Sequence, residues 1–267
     1  MRALAAMAAL AAALTFGVAQ AGAENVIFGV NDDAGKYADG NGPFWSTLRG
    51  VGMSQNVMTV RWDETAPDAI PDESFLRNSL DAAAAGGVDV VFDVYPLHSQ
   101  ALGRDPAAAA RFARWTATLA QAFPQVRQFV VMNECNQPLF LNPQFASRPA
   151  RAVNVSAALC GTALALAYDG LKAVDPAIFV WGLGLSPRGN DNPGASSNVS
   201  TSPIKFIEHL GRWYRSTGRR APLMDGLDVH PYPIPQSLRF GAGYAAPNNF
   251  TVANLNRVYQ AFYDAFR

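Results

Sequence analysis

At 267 residues the chain is the size of one large α/β domain and can bury a substantial core. Apolar residues make up 49% and charged residues only 16%, which excludes a disordered chain. Lys+Arg and Asp+Glu balance at 21 each, so there is no basic field for nucleic acid and no polybasic patch for an anionic membrane.

Residues 1–23 read as a secretory signal peptide. Arg2 supplies the positive start, an Ala-rich apolar run covers residues 3–18, and Ala19-Gln20-Ala21 and Ala21-Gly22-Ala23 are small-x-small cleavage patterns. The run is shorter than the roughly 20 apolar residues of a membrane span. No later stretch reads as long and apolar enough to cross a bilayer. The expected mature protein, residues 24–267, is a single exported domain, extracellular or periplasmic.

After the signal, residues 25–30 form a short strand run ending in the polar loop Asn31-Asp32-Asp33. Phe44, Leu48 and Val51 have helical spacing and predict a helix over 43–55. Residues 56–62 are the second strand, ending Arg61-Trp62-Asp63. A helix over 72–85 follows, with Asp72 as N-cap and Gly86-Gly87 as its stop. The third strand, 88–95, runs into Pro96-Leu97-His98, and Asp105-Pro106 opens a helix to about residue 123.

The fourth strand is the most telling. An apolar run, Phe129-Val130-Val131-Met132, ends abruptly in Asn133-Glu134 and a Pro-bearing loop. A helix to residue 174, a fifth strand over 177–183, and a long polar loop around residues 186–194 come next; the loop reads as a substrate-facing lid. A helix over 203–217, a sixth strand over 226–230 running into His230-Pro231-Tyr232-Pro233, and a helix over 251–266 complete the series.

Strands alternating with helices imply a parallel sheet with helical crossovers. A doubly wound sheet is the rival, but the turn after the first strand has no glycine fingerprint and carries acid where phosphate would sit. The expected fold is therefore α/β, of the (β/α)8 TIM-barrel type, with about six of the eight βα units present.

In such a barrel the strand C-terminal ends converge on one mouth. The tips offer Asn31-Asp32, Arg61, Tyr95 with His98 nearby, Asn133-Glu134, and His230 with Tyr232. Glu134 is the strongest candidate: at the end of an apolar strand, desolvation is expected to raise its pKa toward the range a general acid needs. Asn133 offers an amide to a sugar hydroxyl. Trp62, Tyr95, Phe140, Trp181 and Tyr232 offer aromatic faces, with Trp181 the one better read as core. The three histidines are far apart in sequence, there is no paired-Cys spacing, and no metal or other cofactor is expected. Cys135 and Cys160 leave two options open, a disulfide behind Glu134 or two buried thiols. No Gly-x-Ser-x-Gly elbow occurs, which sets aside a serine nucleophile.

Arg61 on the second strand, Asn133-Glu134 on the fourth and His230-Pro231-Tyr232 on the sixth together resemble clan A of the retaining glycoside hydrolases, the (β/α)8 barrels of cellulases, mannanases and β-xylosidases. The resemblance spans residues 25–232. It implies a secreted enzyme cleaving β-glycosidic bonds, with Glu134 as acid/base and Asn133 binding the hydroxyl next to the anomeric carbon. Arg61, His230 and Tyr232 would position nucleophile and substrate, with His98 and Trp62 as further substrate contacts. The implied partner is a carbohydrate. The clan's nucleophile is a Glu on a seventh strand, and no such Glu follows Tyr232; the sequence is expected to be C-terminally incomplete. The alternative is a secreted, non-catalytic carbohydrate-binding protein on a degenerate barrel.

Overall fold

A computed structural model describes residues 26–37, 43–146 and 153–267; the signal segment lies outside them. The elements in chain order are β1 (Gly29–Asn31), α1 (Ala34–Tyr37), α2 (Phe44–Gly50), β2 (Gln55–Trp62), α3 (Glu73–Ala85), β3 (Asp89–Pro96), α4 (Ala101–Arg104), α5 (Ala108–Ala122), β4 (Gln128–Val131), α6 (Ser156–Val174), β5 (Phe179–Leu185), α7 (Pro203–Thr217), β6 (Gly226–Val229) and, after a 3-10 turn at Val252–Asn254, α8 (Asn256–Phe266).

The strands form one six-stranded sheet in the order β1-β2-β3-β4-β5-β6, every pair parallel. That order separates the two architectures weighed above. A doubly wound sheet reverses direction at a switch point; here each strand pairs with its predecessor, as in a barrel wall. The fold is thus α/β of the TIM-barrel type, described over six consecutive units with β1 and β6 as its outer strands.

The apolar strands are apolar because both of their faces are covered. Phe92 and Phe129 are fully buried and meet edge to face at 5.9 Å, and Phe92 also meets Phe123 at 5.7 Å. Phe112, Leu119, Leu164, Leu171, Phe206 and Leu210 bring α5, α6 and α7 onto the same core. Truncating such a side chain typically costs ~3–5 kcal/mol for a Phe. By length and composition α6 could cross a membrane, contrary to the sequence reading; here it packs against α5 and α7 with Ala163, Leu164, Ala167 and Leu171 buried.

Two helix starts differ from expectation. Asp72 precedes α3 but makes no cap bond; its carboxylate accepts from the Tyr37 hydroxyl at 2.9 Å and lies 3.7 Å from Lys36 Nζ, so a tertiary ion pair takes the group that would have capped the helix. Asp105 spends its carboxylate on Ala107 N at 2.8 Å and on Arg111, and α5 begins only at Ala108.

Candidate active site

The tips of β3, β4, β5 and β6 are joined by backbone hydrogen bonds that continue past the regular ladder. Met132 N donates to Val94 O, Glu134 N to Gly184 O and His230 N to Leu185 O, each at 2.9 Å. Glu134 and His230 therefore both hang from the end of β5. To reach this arrangement the chain adopts positive φ at Met132 (70°), Glu134 (39°), Leu183 (85°) and Gly184 (47°). Non-glycine residues hold such angles only where the surroundings over-determine them, and they gather at functional sites.

The restraints behind Glu134 are visible. Cys135 and Cys160 form a disulfide between the loop and α6. Gln144, buried, donates to Cys135 O at 2.9 Å and Leu141 O at 2.7 Å. Asn136, fully buried, donates to Ser186 O and Thr201 O at 3.1 Å each and accepts from Ser186 N at 3.0 Å. One amide thus ties the β4 loop to the β5 loop, with its polar groups satisfied inside the protein.

The side chains converge on His230. Its Nδ1 lies 3.0 Å from Glu134 Oε1 and its Nε2 lies 3.4 Å from Asp228 Oδ2; the imidazole is 15% exposed, the two carboxylates 18% and 28%. Burial opposes a charge on His230, but the hydrogen bonds and negative charges of Asp228 and Glu134 outweigh it and push its pKa up to about 10. At neutral pH the ring is a cation, with Nδ1–H donating to Glu134 and Nε2 facing Asp228 across 3.4 Å.

Glu134 therefore sits against an imidazole that arrives from β6, not in the apolar setting expected from its strand. Asn133 is buried beside it. Gly184 is what lets β5 pass at this point: a Cβ there would come 2.9 Å from Asn133 Oδ1 and 3.3 Å from Asp228 Oδ2, at a φ that side chains avoid.

Below this layer lies Asp93 on β3, 6% exposed, with Oδ1 lacking any hydrogen-bond partner. Burial first, then the charges of Asp228 and Asp33, raise its pKa well above the usual carboxylate value, against the pull of His230. Burial thus favours the protonated form of Asp93. Neither Asp93 nor Asp228 was singled out from the sequence. The available signal was period two: in each of Asp93-Val94-Tyr95 and Asp228-Val229-His230, the acid sits on the same strand face as a mouth residue.

The remaining candidates divide. Tyr232 is exposed with its ring 5.5 Å from the His230 ring, and its Pro-rich turn is braced by Tyr244, whose hydroxyl accepts from Ile234 N at 2.6 Å. Arg61 is exposed at the tip of β2, in register with Tyr95, and Tyr95 meets Phe140 edge to face at 5.7 Å. Trp62 must be corrected. It is fully buried, packs 5.9 Å from Phe112 and donates its indole N–H to Pro67 O at 3.1 Å, so it presents no face to a ligand. Period two explains the error, since the residue next to inward-facing Arg61 must point into the helix layer.

His98 is 53% exposed and pairs through Nδ1 with Glu64 at 3.1 Å. Asp63, Glu64 and His98 bring their ligand-type atoms within 4.8 Å of one another, the kind of grouping a cation accepts, although no such site was expected. The long β5 loop is folded on itself: Asp191 accepts from Ser202 N and Oγ at 2.7 Å each, and Asn190 accepts from Ser200 N at 3.2 Å. With Gln137, Asn198 and Asn249 it lines an amide-rich recess.

No family model matches the sequence. No curated protein matches it either. Solved structures do match the fold. An O-GlcNAc hydrolase of Thermobaculum terrenum aligns over 87% of this chain and 43% of its own, at 10% identity and a TM-score of 0.51. A broad-specificity endoglucanase of Clostridium longisporum aligns over 83% of this chain and 61% of its own, at 11% identity and a TM-score of 0.49. A glycoside hydrolase of Streptomyces cattleya, in complex with Manβ1-4GlcNAc, aligns over 60% and 41%, at 20% identity and a TM-score of 0.43. The chain thus spans 41% to 61% of the lengths of these glycoside hydrolases. At such identities the likeness is one of fold.

Proposed function

We propose that the chain carries the acid/base half of a secreted retaining glycoside hydrolase that cleaves β-linked glycosides. The observation that supports this most is Glu134 itself. It is a carboxyl group at the tip of the fourth barrel strand, held in a strained backbone and hydrogen-bonded by one oxygen to a charged imidazole. With Oε1 occupied by His230, Oε2 is the oxygen free to face a glycosidic bond.

In this reading Glu134 Oε2 gives its proton to the leaving oxygen as the anomeric C–O bond breaks. A second carboxyl group, about 5 to 5.5 Å away, forms the glycosyl-enzyme bond. Water then attacks the anomeric carbon, Glu134 takes its proton, and the nucleophile is released. By the family resemblance the nucleophile belongs to a seventh strand, beyond the six described. Asp228 is poorly placed for that role because the His230 ring stands between it and Glu134. The Asn133 amide holds the hydroxyl beside the anomeric carbon. The secreted location rests on the signal-like N-terminus.

The reading is tested on the full-length protein with aryl β-glycosides of differing leaving groups. Glu134→Ala is expected to abolish turnover of poor leaving groups while sparing activated ones, with azide restoring the deglycosylation step. Equal turnover of both classes by wild type and variant would refute it.

A further inference from the structure

Asp228 has no part in the chemistry above, yet it faces the second nitrogen of the ring that is hydrogen-bonded to Glu134. It lies on β6 two residues before His230, on the same strand face, 3.4 Å from Nε2, while Nδ1 meets Glu134 Oε1 at 3.0 Å. An imidazolium faced by a carboxylate at each nitrogen is held against flipping its ring. Gly184, without a side chain, leaves the space into which the Asp228 carboxylate reaches. The other titratable groups with a bearing on the ring are Asp93 from β3 and Tyr232 from the turn after β6; neither is hydrogen-bonded to it.

We propose that Asp228 is a positioning residue: by holding His230 Nε2–H it keeps Nδ1–H pointed at Glu134 Oε1, and so leaves Oε2 as the oxygen that meets substrate. This rests on the glycosidase reading only for its catalytic consequence; the grip on the ring exists without it. Because Asp228 acts through His230, its removal and that of His230 break the same linkage, and their effects do not add.

The test uses Asp228→Asn, His230→Gln and the double variant, each checked for a native far-UV spectrum. If Asp228→Asn unfolds, Asp228→Glu, which keeps the charge at a different reach, takes its place. The first readout is ¹⁵N NMR titration of the His230 ring. The wild-type ring stays doubly protonated through about pH 8, and Asp228→Asn or Asp228→Glu brings its midpoint down by about a pH unit or more. The second readout is kcat/KM on an aryl β-glycoside with the full-length protein. Each single variant loses about 100-fold, the scale of a misplaced catalytic group, and the double loses no more than either. An unmoved His230 midpoint, or losses that multiply in the double variant, would overturn the proposal. Failure of the glycosidase reading shows separately, as full turnover by Glu134→Gln, and leaves the NMR result to decide for or against the grip of Asp228.

Discussion

His230 donates through Nδ1 to Glu134 Oε1 at 3.0 Å, joining two strand tips that lie 96 residues apart in the chain. Both tips hang from the last carbonyls of β5, and the pair is the point at which the fold and the proposed chemistry meet.

The pair sets a pH dependence of stability. His230 has its pKa raised from 6.5 to about 10 in the folded protein, so its contribution is complete below pH 6.5 and is lost as pH rises toward 10. His230→Gln is expected to cost ~3 kcal/mol at pH 6, the scale for breaking a buried pair, and far less at pH 10. Denaturant midpoints for both proteins across that range check this; a constant difference would contradict it.

Asp93 shifts stability in the same direction with pH, from a lower starting point. A buried carboxyl whose pKa is raised from 3.8 on folding opposes folding increasingly as pH climbs above that value. Asp93→Asn keeps the shape and removes the titration. Its stability relative to wild type is expected to improve by about 1.4 kcal/mol for each pH unit between 3.8 and the folded value. Urea melts at pH 4 and pH 7 read the change, and a variant that loses ground toward neutral pH would count against a neutral Asp93.

Gly184 is the tightest steric point of the site. Gly184→Ala places a methyl 2.9 Å from Asn133 Oδ1 at a φ of 47°. The expected cost is ~1–3 kcal/mol, together with a displaced Asn133. Thermal unfolding and the affinity for a β-linked oligosaccharide measure the two parts; wild-type values in both would show that the passage is not tight.

The Cys135–Cys160 disulfide closes a loop of 25 residues immediately behind Glu134. Replacing both cysteines by serine is expected to lower stability by ~3 kcal/mol, read as a fall in Tm. The same change is expected to weaken protection of the Glu134 amide in hydrogen exchange, since that N–H is held only while the loop stays against Gly184. Unchanged protection would show that Gln144 and Asn136 hold the loop without it.

Much of this was legible from the residues. The strand–helix alternation gave the unit count, and the abrupt change from Met132 to Asn133-Glu134 marked the mouth, because a buried strand can carry a polar tip only where it emerges. Trp62 went wrong for a different reason. Proximity to a tip in sequence does not say which way a side chain points, and alternation sends Trp62 into the helix layer beside Phe112. The setting of Glu134 was invisible because an apolar strand implies burial, whereas the imidazolium that sits against it arrives from β6. Asp228 and Asp93 were hidden in runs that read as plain strand; only the assembled barrel shows two acids facing its interior.

The most direct test of the account is the turnover of a poor-leaving-group β-glycoside by the full-length protein carrying Glu134→Gln. The account predicts a fall in kcat/KM of at least ~100-fold, the lower range for losing a general acid, with a much smaller fall for an activated aryl glycoside. Wild-type turnover of both substrates would contradict the assignment of Glu134 as the acid/base.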